Sequence, residues 1–315
     1  MLRKSTLLIL LLSIQIMAFE KLEKIVIAGP FTNVSHPILV MIEHNVFKDI
    51  ADKVEFRYWK NQDQLRAMIL NKEVDFMAVP VNVAAILYNK GIDLQLLNVS
   101  IWGNYGIVSS NKSIKSIKDL KNRELAVPSR GDMPDIIMQK LLRGNGMKRS
   151  DLNIAYMATP IDGLSMVVKG KIESAFLPEP ALSMAVLKSK KKLKIVLNIQ
   201  EEYKKTFHTL ETFPQVGFAI MGKNKTNIKL IDIFLKEYKK SMKWYKTNPI
   251  EASQIVVKYL PMLKQKAVAM GVKNIEIDTK TANEAKKQIN KWFENLKSFN
   301  PKLIGDIIPD NKFYY

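Results

Sequence analysis

Pro30 and Pro128 stand 98 residues apart, as do Val74-Asp75 and Ile172-Glu173, and Pro80 and Pro178. Pro37 and Pro134 are 97 apart, and the apolar stretch Asn82–Leu87 falls on Pro180–Ala185. Coincidences gathered at one offset predict a unit present twice. Each unit reads strand, helix, strand, helix, strand, helix. In the first, "KIVIAG" (24–29), "KVEFRYW" (53–59) and "VDFMAV" (74–79) have strand character, as does "LQLLNVSIW" (94–102). The segments 36–47, 62–71 and 82–90 have helical spacing, the last closed by Gly91. In the second, strands are expected at 124–128, 152–157, 173–178 and 193–198, with helices at 133–146, 159–170 and 179–189. Alternation of this kind with short connections predicts parallel βαβ sheets. "QVGFAIMG" (215–222) reads as one more strand. Beyond it, helices are expected at about 226–247, 249–259 and 279–298.

A chain of 315 residues has room for two such lobes. The helices after residue 222 lack enough strands to form a core of their own, so they are expected to return to the first lobe. This places lobe 1 at 19–105 plus 223–315 and lobe 2 at 106–222. The chain then crosses between lobes twice.

The start of the sequence, "MLRKSTLLILLLSIQIMAFE", carries Arg3 and Lys4, an apolar run from Leu7 to Leu12, and the small residue Ala18. That order predicts a signal peptide over 1–18 and an exported, periplasmic product. The run is too short to span a bilayer well, and no stable membrane insertion is expected. Without cysteine there is no disulfide framework, no thiolate metal site and no lipid-bearing residue after the apolar run. Formal net charge is +19, but the lysines are spread along the chain, with one short cluster at 188–192. A solvated basic surface is expected, with no nucleic-acid partner.

Open α/β sheets bind ligands at the C-terminal ends of their strands. Four strand-to-helix junctions stand out: "GPFTNVSHP" (29–37), "VPVN" (79–82), "VPSRGDMP" (127–134) and "LPEP" (177–180). Each carries proline near the helix start, where its fixed φ costs no hydrogen bond. Two facing sets of rigid loops with exposed N–H groups predict a cleft that holds a small solute between the lobes. The candidate ligand-binding residues are Ser35, His36, Asn82, Trp102, Asn104, Arg130, Gly131, Asp132, Met133 and Glu179.

Arg130 offers a guanidinium fork to an oxygen pair; the alternative is a local ion pair with Asp132 or Asp135. Asp132 reads first as the cap of the helix that follows, with Asp135 completing a capping-box-like pair, and second as a ligand contact. Ser35 and Asn82 are caps or ligand contacts. His36 precedes Pro37, which pushes it out of the helical basin and aims its ring toward the cleft. Glu179, held between two prolines, accepts from a ligand amine or caps its own helix. Trp102, Asn104 and Tyr105 mark the first crossover, where an aromatic ring stacks on a ligand or belongs to the core. His44 and His208 have no ligand spacing to His36, and no metal or other cofactor is expected. One cation among two acids disfavours an inorganic anion such as nitrate. It favours a small organic molecule with groups of both signs, or a flat uncharged one.

The stretches "GPFTNVSHP", "RGDMPDI", "ATPIDGLSMVVKGKIESAFLPEPALSMA" and "IIPDNKFYY" resemble the solute-binding proteins of ABC importers. The branch is the one that holds the nitrate, taurine, aliphatic-sulfonate and thiamine-precursor binders. The resemblance covers essentially the whole chain after residue 18. It implies a two-lobed Venus-flytrap fold of the type II periplasmic-binding-protein class, a mostly parallel sheet in each lobe and two crossover strands. It also implies a monomer that delivers its solute to a permease and, through it, to a cytoplasmic ATPase. Thiamine-precursor binders typically carry a cysteine-rich stretch, which this chain lacks. The competing class is an enzyme on the same fold, similar to thiamine-pyrimidine synthases or chorismate dehydratases. No lysine lies in the four junctions to hold a cofactor, and no GxSxG, HExxH or P-loop pattern occurs. A non-enzymatic binder is therefore expected.

Overall fold

The computed structural model describes residues 21–190, 192–209 and 211–315; the expected signal peptide lies outside the described residues. The first unit runs β1 (Leu22–Gly29), α1 (His36–Glu43), β2 (Ala51–Tyr58), α2 (Gln62–Leu70), β3 (Phe76–Pro80), α3 (Val81–Asn89), β4 (Leu94–Leu96) and β5 (Asn98–Gly103). The second runs β6 (Tyr105–Ser109), β7 (Glu124–Pro128), α4 (Met133–Gly144), β8 (Asn153–Met157), α5 (Pro160–Val168), β9 (Ser174–Pro178), α6 (Ala181–Lys188), β10 (Lys194–Asn198) and α7 (Ile199–Phe207). The chain then makes β11 (Val216–Met221), α8 (Ile228–Thr247), α9 (Pro249–Tyr259), α10 (Gln265–Gly271), β12 (Glu276–Thr281) and α11 (Ala282–Phe299).

Among the described residues there are two sheets. One has the order β12-β5-β11-β3-β1-β2, with β4 also on β11; the other is β10-β6-β9-β7-β8. Helices cover both faces of each, so the central strands are buried: Ile25–Gly29 of β1 and all of β3 and β9 lie inside. The duplicated unit is visible down to strand register. Val26 pairs with Glu55 and Ile27 with Phe76 in the first sheet; Glu124 pairs with Asn153 and Leu125 with Ser174 in the second. Every one of these positions is displaced by the same 98 residues. Among the described residues no helix is long and apolar enough to cross a membrane.

The expected lobe boundaries need correction at the second crossing. β11 was expected with lobe 2 and lies in the first sheet, antiparallel to β3 with Val216 opposite Pro80. Five of its six residues are buried, and such a strand needs neighbours on both edges, which β3 and β5 supply. β6 plays the same part in the second sheet, antiparallel to β9 with Tyr105 opposite Pro178. Helices α7 and α10 were not expected, and other elements also differ from expectation. The strand expected over 94–102 breaks at Leu97, whose N–H turns to the Phe218 carbonyl at 2.8 Å. The helix expected to reach residue 47 stops at Glu43, followed by Asn45 with φ of 52°. β12, with the polar sequence EIDTKT, is a partly exposed edge strand in a stretch where a helix start was expected.

The C-terminal segment closes the first lobe from outside. Tyr315 donates its N–H to the Leu96 carbonyl at 2.9 Å, and the Tyr88 hydroxyl donates to Asp310 at 2.6 Å. Phe313 is fully buried, edge-on to Tyr88 with ring centroids 5.3 Å apart.

Gly217 sits where β11 passes β5. A Cβ added there would lie 1.7 Å from the Asn98 carbonyl oxygen, a backbone atom that cannot swing away. Gly217→Ala is expected to destabilise the protein by about 3 kcal/mol or more, the upper end of overpacking costs. Urea unfolding checks this; an unchanged midpoint would refute the close approach.

Candidate functional site

Six loops meet between the lobes, each at the C-terminal end of a parallel strand. From the first lobe come Pro30–Thr32 after β1, Trp59–Gln62 after β2 and Pro80 closing β3. From the second come Ser129 and Asp132–Pro134 after β7, Pro160 after β8 and Pro178 closing β9. The crossing residues Asn104, Tyr105, Gln215 and Val216 form the floor. The cleft spans about 690 Å³ of non-atom space, open solvent at its mouth included.

The floor is stiff because two crossing chains are tied side by side. Gln215 donates its amide to the Asn104 side-chain oxygen at 2.6 Å and accepts from the Asn104 N–H at 3.2 Å. The Asn104 carbonyl accepts from the Glu179 N–H at 2.9 Å. Gln200, with its amide turned to match its neighbours, donates to Asn198 and to the Tyr105 carbonyl and accepts from the N–H groups of Asn104 and Tyr105. These amides are buried, so each unpaired group would carry a desolvation penalty, and pairing removes it.

Of the candidate residues, Asn104, Asp132 and Met133 line the cleft. Arg130 and Gly131 border its outer opening together with Asp63, Arg66 and Tyr156. The Arg130 guanidinium is solvent-exposed and stands 5.2 Å above the Tyr156 ring. The other candidates are turned into the protein. His36 is fully buried: its Nε2 donates to the Phe31 carbonyl at 2.9 Å, and its Nδ1 accepts from the Tyr245 hydroxyl at 2.8 Å. Asn33 in turn donates to that hydroxyl at 2.8 Å. Burial pushes the His36 pKa down to about 4, so the ring is neutral at pH 7. The ring braces the β1–α1 loop from beneath and does not reach the cleft as the preceding-proline argument had it. Ser35 is buried against Gly29 and makes no cap hydrogen bond. Asn82 lies inside α3 and donates to the Leu303 carbonyl at 3.2 Å. Trp102 donates its indole N–H to the Asp278 carbonyl at 2.5 Å. Glu179 is buried and accepts from the Ser183 N–H and hydroxyl and, at 2.6 Å, from Asn274 of the other lobe. Burial raises its pKa, against the pull of those donors.

Two loops escaped the sequence reading, those after β2 and β8. Their signal was available: Asn61 and Thr159 stand 98 apart and both cap their helices, on Gln64 at 3.0 Å and Asp162 at 3.2 Å. The first of these loops brings Trp59 and Lys60 to the cleft wall. The four junctions singled out in the sequence indeed hold no lysine, but this fifth loop brings one to the cleft.

Asp132 departs most from its expected role. It stands at the start of α4, yet its side chain makes no cap hydrogen bond. Asp135 does that work, accepting from the Gly131 N–H at 2.8 Å, from Gln139 at 3.0 Å and from the Tyr156 hydroxyl at 2.9 Å. The Asp132 carboxylate faces Arg66 of the first lobe at 3.8 Å, a distance too long for a close ion pair. Burial pushes its pKa up to about 6; Asp63 and Asp135 add repulsion, and Arg66 only partly offsets them.

A carboxyl with a raised native pKa holds its proton more tightly folded than unfolded. Stability therefore falls as pH rises from about 4 to about 6, where only the native state keeps the proton. Asp132→Asn is expected to raise stability by roughly 1–2 kcal/mol at about pH 7.5, after discounting for partial exposure, and to leave it unchanged at about pH 4. Urea melts of both proteins at the two pH values check this; a destabilised variant at the higher pH would contradict it.

The chain is similar in structure to an ABC transporter protein from Parabacteroides distasonis, at 23% identity and TM-score 0.78, covering 93% of this chain and 99% of that one. It is similar to the periplasmic aliphatic sulphonate binding protein SsuA from Escherichia coli, at 16% identity and TM-score 0.69, covering 90% and 96%. It is also similar to the alkanesulfonate-binding protein SsuA from Xanthomonas axonopodis pv. citri bound to MOPS, at 12% identity and TM-score 0.69, covering 94% and 97%. The fold is thus the periplasmic-binding-protein fold expected from the sequence. No curated protein matches the sequence. The model of the family described as "NMT1/THI5 like" matches residues 33–252, more than half of the chain, and the protein belongs to that family.

Proposed function

We propose that the protein is the solute-binding component of an ABC uptake system, capturing a small organic molecule between its lobes and delivering it to a permease. The observation that carries this reading is the convergence of six strand-end loops from two similar lobes on one cleft. Such a cleft buries a ligand by rotation about the crossing strands and needs no chemistry to do so. The charged side chains on the cleft wall, Asp132 and Lys60, come from different lobes. They form no nucleophile–base pair of the kind covalent catalysis uses, so binding without turnover is the better reading. Export to the periplasm, with removal of residues 1–18, belongs to the same proposal.

Small-angle scattering of the purified protein, before and after unfolding and refolding to strip retained molecules, tests it. The loaded form is expected to have the smaller radius of gyration, and native mass spectrometry to show a small molecule that the stripped form lacks. Identical radii in the two forms, with nothing retained, would contradict a closing binding protein.

A further inference from the structure

We propose that the cleft selects a solute with a cationic, N–H-bearing head on a flat body, seated with its head on Asp132 and its body against the aromatic wall. The inference rests on the solute-binding reading and adds the class of ligand. An anion would need free N–H donors at the strand-end loops, and several of those donors are already used. After β7, the Ser129 N–H goes to the Met157 carbonyl at 2.9 Å, the Gly131 N–H to Asp135 at 2.8 Å and the Asp132 N–H to the Ser129 carbonyl at 3.0 Å. The Lys60 N–H goes to the Gln64 side chain at 2.9 Å, and the Glu179 N–H to the Asn104 carbonyl at 2.9 Å. These five backbone donors are thus satisfied internally.

The cleft also holds an acceptor without a hydrogen-bonded partner. Asp135 caps the loop, which leaves the Asp132 carboxylate without a hydrogen-bonded partner closer than Arg66 at 3.8 Å. Asp63 and Asp135 deepen the negative potential there. Lys60 on the cleft wall is exposed, and the side chains of Arg66 and Arg130 stand at the outer opening, so solvent screens all three cations. A sulfonate or carboxylate head in the cleft would face Asp132 with like charge. An ammonium or amidinium head would form charge-assisted hydrogen bonds with it. Phe31, Trp59 and Tyr105 line the same cleft and favour a planar, apolar body. The Trp59 indole N–H, in a residue only 7% exposed, has no partner in the protein and offers one donor to an acceptor on that body.

Three probes of one shape test the head group: benzamidinium, benzamide and benzenesulfonate, each titrated calorimetrically into the stripped protein. Benzamidinium is expected to bind best and benzenesulfonate worst. Asp132→Asn should weaken benzamidinium about ten- to a hundredfold and leave benzamide nearly unchanged, with no loss of melting temperature. Tighter binding of benzenesulfonate, or benzamidinium affinity indifferent to the substitution, overturns the inference and leaves the solute-binding reading standing. An anionic molecule retained by the purified protein and identified by native mass spectrometry does the same. Failure of all three probes, with no retained molecule, overturns both.

Discussion

Each sheet in this protein is finished by a strand that arrives from the opposite lobe. β6 enters the second sheet directly after β5 leaves the first, and β11 enters the first after the chain leaves the second. Both lie antiparallel beside the third strand of their unit, in matching positions. The lobes are therefore similar bodies that share two connections, and the Asn104–Gln215 amide pair binds those connections together. Everything in the cleft depends on this. Six loops from two sheets face one another only because the crossing strands hold the sheets with their C-terminal edges inward.

The same geometry explains how the strand-end loops are held. Prolines 30, 80, 128 and 178 close the strands, ending the hydrogen-bond ladder without leaving an orphaned N–H. Buried side chains then hold the loops from behind: His36 and Tyr245 under one, Glu179 and Asn274 under another. Asp132 is the exception, a carboxylate in a partly dry site with its usual local task taken by a neighbour. Proteins commonly carry such a cost where a ligand is meant to relieve it.

The fold was largely legible because it is periodic. The 98-residue offset that links Val74-Asp75 to Ile172-Glu173 is the offset of the strand registers, and both acids sit at the far ends of β3 and β9. Asp75 accepts from the Val26 N–H at 2.8 Å, and Glu173 pairs with Arg123 at 3.3 Å. The side on which β11 pairs was not legible, since an apolar strand fits either lobe until its partners are known. The site was legible as loops and much less so as side chains. Residues such as Ser35, His36 and Glu179 sit at strand ends like any ligand contact, but whether a polar group points into a cleft or behind it depends on distant partners. Tyr245 and Asn274, which hold His36 and Glu179, lie far away in sequence, and no local pattern announces them. Conversely, Gln215 looks like an ordinary loop residue until the second crossing is placed beside the first.

The exchange of strands also imposes an order on assembly. All five strands of the second sheet lie between Tyr105 and Asn198, in one unbroken stretch. The first sheet is different: β3 and β5 touch a common neighbour only when β11 slides between them, more than a hundred residues after both have been made. Up to that moment the edges of β3 and β5 that face β11 have no strand beside them. A nascent chain can therefore complete the second sheet from its middle, while the first sheet is complete only once β11 and β12 have been made.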